Sequence, residues 1–365
     1  MSTTENQEGR EPARHGVRKD KDAPVVNLKT IAEEAGVTIA TVSRILRGKV
    51  KGRPHTRKIV LEAADRYGYR PNLLVKALQT GRSQTIGVML DIGDSYFARI
   101  AVGIHDVLVD ADHVPLILWA RTERRRAVER GNELEQIHRL VDRRVDALIL
   151  CARDDTVGED YVSEILQRRI PLVTVDRRLE GVPADFAGTD DVLGGRRAAE
   201  HLIGLGHRRL AVLTGPSDVR LAHDRAAGFQ AVVEACDGAT CSVYEEITYR
   251  DGRPGAEALL AASPRPTALF ATNDIMVPDV YQVAAQLGVR IPGDLSVVGF
   301  ADVFPPDALR PRLTTVHQEP ERLGRMAATM TLDHLYGRAP RGAPRVERIE
   351  PELVIRESTA APPAG

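Results

Sequence analysis

The sequence predicts two folded units of different class, a small all-α helix-turn-helix domain near the N-terminus and a much larger α/β core behind it. Three observations lead there. Thr30 to Leu46 (TIAEEAGVTIATVSRIL) reads as two short helices meeting at Gly36, short β-branched runs alternate with helical stretches from Thr85 onward, and the charge is divided between the two regions. At 365 residues and 43% hydrophobic content, the chain is too long for one ordinary core and apolar enough for two or three.

The first helix is expected to open at Thr30-Ile31-Ala32-Glu33, with the Thr oxygen capping the amide three residues on and Glu33 reaching back. Gly36 ends it, because Gly permits the positive φ of a tight turn, and Thr38 caps a second helix. Val42, Ile45 and Leu46 then face inward and form a small core with Ile31 and Val37. That leaves Ile39, Ala40, Ser43, Arg44 and Arg47 on the opposite side, free to enter a major groove. An ordinary helical hairpin with a solvated basic face is the plain alternative. Arg47 to Arg53 (RGKVKGR) is a basic loop suited to phosphate contacts, which fix register without reading sequence. Pro54 suits the first turn of a third helix through about Tyr67, with Ile59, Val60, Ala63 and Ala64 packing on the first two and Gly68 ending it.

The net charge of −1 hides an asymmetry. Leu28 to Gln84 holds 12 Lys/Arg against 4 Asp/Glu, a net of +8, whereas Thr85 to Gly365 holds 33 against 42, a net of −9. A compact basic segment joined to an acidic body is expected when one domain binds phosphates and the other does not. Met1 to about Val26 is charge-balanced, polar and without apolar periodicity, so a disordered extension is expected there. Cys151, Cys236 and Cys241 are too few and too irregular for a disulfide framework or a zinc site, which fits a reducing cytoplasm. Neither an apolar run long enough to span a membrane nor the basic-then-apolar order of a signal peptide is present, so membrane partners are not expected.

Beyond Thr85 the runs TIGVML, VPLILWA (114–120), VDALILC (145–151), IPLVTVD (170–176), LAVLTGP (210–216), TALFATND (267–274) and LSVVGFAD (295–302) alternate with helical stretches, the signature of parallel sheets covered on both faces. Ligands in such sheets bind beyond the carboxyl ends of the strands, where the polar endings of these runs lie. HExxH, P-loop, GxSxG and strand-following GxGxxG patterns are all missing, so neither an enzyme nor a cofactor is expected. His201 and His207 read as packing or hydrogen-bonding residues, and Trp119 as core.

AGVTIATVSRIL, followed by HTRKIVLEAADRYGYRPN and TIGVML, closely resembles the lactose-repressor/galactose-repressor (LacI/GalR) family of bacterial transcription regulators, and the likeness runs from Leu28 to about Thr359. The resemblance implies a DNA-binding domain over 27–71, a hinge helix and linker over 72–84, a periplasmic-binding-protein-like core of two Rossmann-like subdomains over 85–359, and a tail over 360–365. Subdomain one would take about 85–188 and 320–345, subdomain two about 189–319 and 352–358. DNA contacts would come from Thr38, Ile39, Ala40, Thr41, Ser43, Arg44 and Arg47, from Tyr69 and Asn72, and from Leu78, which by position would enter the minor groove from the hinge helix Pro71 to Gln79.

In the cleft the resemblance implies effector contacts from Asp91, Tyr96 and Phe97 in DIGDSYF, Cys151, Asp176 in VTVDRR, Arg225 in HDRAAGF, Asn273 of the Asn-Asp pair and Gln318 in LTTVHQ. Tyr249 or Arg250 would supply another wall. The chain departs from the family at Ser95, where Pro is usual, and at Ala301, where VGFAD lacks the first Asp of the usual VGFDD. Losing that carboxylate removes an acceptor for two sugar hydroxyls. The expected protein is a homodimeric regulator, a repressor in sign, of a pseudo-palindromic operator in double-stranded DNA, controlled by a sugar or sugar-like effector. A cytoplasmic binding protein or enzyme with an incidental N-terminal domain, and a regulator without an effector, are the alternatives.

Overall fold

A computed structural model describes residues 27–46, 53–69, 77, 81–90, 95–119, 126–151, 159–179, 181–216, 219–248, 251–340 and 342–363. The extension over 1–26, Arg47 and most of the basic loop, Asn72 and Leu78 with nearly all of the hinge helix, Asp91, Tyr249 and Arg250 lie outside the described residues, as does the side chain of Trp119. The chain divides into two compact units, 1–79 and 80–365.

The N-terminal unit holds three helices, α1 (Leu28–Glu34), α2 (Ile39–Leu46) and α3 (Pro54–Arg66). Ile31, Ala32, Val42, Ile45, Val60, Ala63 and Ala64 form its buried core, with Val37 and Leu46 packed against it. Gly36 turns the chain between α1 and α2 at φ +62°, as expected. The start of α1 differs from expectation. Its cap is Asn27, whose Oδ1 accepts from the amides of Lys29 (2.9 Å) and Thr30 (3.2 Å), so the helix opens before Thr30. Asn leads the preferred N-cap residues, and Leu28 then packs on the core from the first turn. Thr38 does cap α2, accepting at Oγ1 from the Thr41 amide at 3.2 Å.

The second unit contains two six-stranded sheets. The first has the order β11-β5-β4-β3-β1-β2, from β1 (Thr85–Leu90), β2 (Val114–Trp119), β3 (Ala147–Leu150), β4 (Leu172–Val175), β5 (Asp185–Thr189) and β11 (Val346–Ile349), all parallel. The second has the order β12-β10-β9-β8-β6-β7, from β6 (Arg209–Thr214), β7 (Thr240–Glu245), β8 (Ala268–Ala271), β9 (Ser296–Ala301), β10 (Thr314–His317) and β12 (Glu352–Val354), with only β12 antiparallel. Helices α4 (Ser95–Asp110) and α11 (Pro320–Leu335) cover one face of the first sheet, α5 (Arg126–Asp142) and α6 (Glu159–Gln167) the other. In the second lobe α7 (Asp191–Gly204) and α8 (Arg220–Glu234) lie on one face, α9 (Arg253–Ala261) and α10 (Val277–Gln286) on the other.

The chain crosses between lobes three times, after β5, after β10 and between β11 and β12. The crossings are tied together. Asp190 donates its amide to Ile349 O at 3.0 Å, the Gln318 amide donates to Thr189 Oγ1 at 3.1 Å, and an Arg197 guanidinium N–H donates to Pro351 O. Subdomain one reaches further than the Arg345 boundary, because β11 extends its sheet beside β5.

Candidate functional site

On α2 the side turned away from the core carries Ile39, 47% exposed, with Ala40 and Arg44 also exposed. Arg44 Nε donates to Ala40 O at 3.3 Å, which lays the guanidinium along the helix surface. Ser43 departs from expectation. It is 9% exposed, because it lies beside Val42 on the side turned toward the core, and the outward face is narrower than the sequence suggested. Thr38 is exposed and Thr41 half-buried, their hydroxyls 2.9 Å apart. Tyr69 is half-buried and packs against the three-helix core, so its ring has a structural task as well.

The second cluster lies at the carboxyl ends of the strands in the two-lobed unit. Tyr96, in the first turn of α4, donates its hydroxyl to Asp176 Oδ1 at 2.7 Å, and both residues are buried. Asp176 follows β4 in the left-handed region, φ +67°, with its amide still bonded to Ala187 O, so the strand end aims its carboxylate. Burial, then the neighbouring Asp176 carboxylate, pushes the Tyr96 phenol well above its ordinary value, and the hydroxyl keeps its proton. Phe97 meets Tyr96 edge-on with centroids 5.2 Å apart, half-buried against the first lobe's core. Cys151, one residue past β3, is buried in that same apolar cluster.

In the second lobe Arg225 is 3% exposed. Its Nε donates to Asp191 Oδ1 at 2.7 Å, one terminal nitrogen donates to Thr272 O at 2.9 Å, and the guanidinium lies 3.8 Å from the Phe300 ring centroid. Asp191 was not foreseen. The Asp190-Asp191 pair before α7 was the available signal: Asp190 caps the helix by accepting from the Leu193 amide at 3.0 Å, which leaves Asp191 for Arg225. Burial pushes the Asp191 carboxyl up to about 6 against the pull of Arg225, with Asp176 and Asp224 adding to the rise. Asn273 is half-buried, and its Oδ1 accepts from the Ile275 amide at 3.0 Å, capping a 3-10 turn (Asp274–Met276). Gln318 is 1% exposed and sits within the crossovers, tied to Thr189, rather than on an open wall.

Ala301 ends β9 at φ +113° and Asp302 follows at +55°. Asp302 does not replace the carboxylate missing at 301. One oxygen accepts from Arg356 at 2.8 Å and the other lies 3.2 Å from His317 Nδ1. Burial opposes its ionisation, but His317 and Arg356 outweigh it and hold the carboxyl below the usual range. Among the described residues no group of three or more His, Cys, Asp or Glu is placed to hold a metal ion, and no helix is long and apolar enough to cross a membrane.

The family profile described as "Bacterial regulatory proteins, lacI family" matches residues 27–72, and that of the periplasmic binding protein-like domain matches 199–359. The transcriptional repressor PurR of Photobacterium profundum is 29% identical over 345 residues, 92% of this chain and 98% of that protein. The chain belongs to the LacI family. Among solved structures of this family, a Lac repressor dimer bound to operator and the anti-inducer ONPF is similar at TM-score 0.79 and 25% identity, over 92% of this chain and 99% of the other. A complex of the transcriptional regulator CelR with cellobiose is similar at TM-score 0.66 and 27% identity, over 91% and 99%. This LacI-family chain is thus a helix-turn-helix transcriptional regulator rather than an enzyme, with a two-sheet α/β core behind its DNA-binding domain.

Proposed function

We propose that this regulator binds a pseudo-palindromic operator as a homodimer, that it represses, and that a small hydroxyl-rich molecule, a sugar or sugar derivative, enters the cleft between the lobes and alters operator affinity. The observation that carries the DNA half is the exposed Ile39, Ala40 and Arg44 face of α2, held outward by the core behind it. In a major groove, Ile39 and Ala40 suit thymine methyls and Arg44 suits the O6 and N7 of guanine. Thr38, Thr41 and Tyr69, with Arg47, Asn72 and Leu78, complete the proposed contacts, and Ser43 supports the helix from its buried side.

Asp176 and Asn273, just past strand ends of the two lobes, with Tyr96 near the start of α4 and Arg225 on α8, would offer hydroxyls of a ligand charged acceptors, donors and an aromatic face. Phe97, Cys151 and Gln318 would shape the cleft from behind, and Asp91 and Tyr249 complete the proposed set. Cellobiose in CelR supports a sugar in this class of cleft. The place of action is the cytoplasm, where the DNA is. Selection from a randomised duplex library tests the reading. The wild-type chain should enrich a two-fold symmetric site, and replacing Ile39 and Ala40 together should change the enriched half-site. Identical selection by both proteins would refute it.

A further inference from the structure

Ser95 and Val303 lie 208 residues apart on opposite lobes, yet Ser95 Oγ donates to Val303 O at 3.2 Å. Ser95 is the first residue of α4, just past the end of β1, and Val303 lies two residues past the end of β9. Both therefore stand at the carboxyl ends of their sheets, where the lobes face each other. The Val303 side chain packs against the apolar core of the first lobe and also against that of the second. Its amide donates to Asp274 Oδ2 at 3.2 Å, while Thr315 donates to the other oxygen of that carboxylate at 2.7 Å. Val303 is thus fixed to its own lobe through its N–H and to the other lobe through its carbonyl and side chain.

From this geometry we infer that Ser95 and Val303 form a latch that holds the lobes together. The inference deepens the regulator reading and rests on it for its consequence: a ligand that must part the lobes to enter binds with an affinity lowered by the latched fraction. Residue 95 opens a helix, a position where proline folds well but has no hydroxyl to donate, so the latch can be removed without disturbing α4.

Hydrogen exchange on the full-length chain, with no ligand added, tests this in Ser95→Ala, Ser95→Pro and Ser95→Thr. The latch predicts exchange over 302–309 about fivefold faster in the Ala and Pro variants, the scale of one neutral hydrogen bond. Ser95→Thr, which keeps the hydroxyl, should match the wild type, and peptides from β1 and β9 should be unchanged in all three, showing an intact fold. Unchanged exchange over 302–309 in the Ala and Pro variants, or equal acceleration in the Thr variant, would overturn the inference. Duplex binding on the same preparations separates the two levels: a wild type that binds no duplex refutes the regulator reading, and the exchange comparison still decides the latch.

Discussion

Arg225 shows how single residues are fixed here. A buried guanidinium is tolerated because Asp191, Thr272 O and the Phe300 ring together replace its water. Asp191→Ala leaves that charge buried without its carboxylate, so urea unfolding should show a loss of about 3 kcal/mol, the scale for breaking a buried pair. His207 was expected to be a hydrogen-bonding residue, and it is: Nδ1 lies 2.8 Å from Thr267 Oγ1 and Nε2 2.9 Å from Ala360 O. Burial pushes this imidazole down from its usual value against the pull of the Ala360 carbonyl, so the unfolded chain binds the proton more readily than the folded one. Its contribution is complete above the unfolded value of about 6.5 and is lost as pH falls through it. Asp191 and Asp274, both raised to about 6 by burial, work the other way below pH 6. Comparison with His207→Gln isolates the imidazole: the variant should lose less stability than the wild type between pH 7 and 5 in thermal unfolding, and parallel losses would contradict the assignment.

At the scale of elements, the legible parts were those whose residues bury completely. TIGVML, ALIL, LVTV and ALFA are continuous apolar strands of parallel sheets, and the structure places each where the pattern did. β5 (DFAGT) and β10 (TTVH) escaped notice because their buried polar groups are satisfied from outside the strand: Asp185 takes Arg345 and His334, and Thr315 takes Asp274. β7 is an edge strand with mostly exposed residues, so its pattern is weak. In the cleft, residues at strand ends could be anticipated, whereas Asp191 and the burial of Gln318 depend on packing between distant segments. The α4–α11 contact is a further case. A Cβ on Gly324 would fall 2.1 Å from Ile100 O, so the backbones touch only because the residue has none. Gly324→Ala should force the helices apart and cost about 1–3 kcal/mol in denaturant unfolding, with an unchanged midpoint arguing against the close approach.

At the scale of the whole molecule, α11 joins two places that matter. It begins at the second crossover, after Gln318 and the left-handed Glu319, and runs 16 residues, about 24 Å at the α-helical rise, to Leu335, whose carbonyl accepts from Arg82 at 2.8 Å. Arg99 and Glu321 pair through two hydrogen bonds, 2.7 and 2.9 Å, and with the glycine contact they make α4 and α11 one rigid piece. Asp146 holds the Ser83 and Gln84 amides at 2.7 and 2.8 Å, so the segment leading from the DNA-binding domain is anchored to the first lobe. A change at the crossovers therefore has a packed route to residues 82–84 at the start of the first lobe, and a ligand can use it only through different affinity for two lobe arrangements. The deciding measurement is the affinity of the full-length protein for its selected duplex, with and without a ligand found by thermal shift. Coupling between cleft and helix-turn-helix predicts a change of about fivefold or more, in either direction. Identical affinities with the cleft saturated would contradict it.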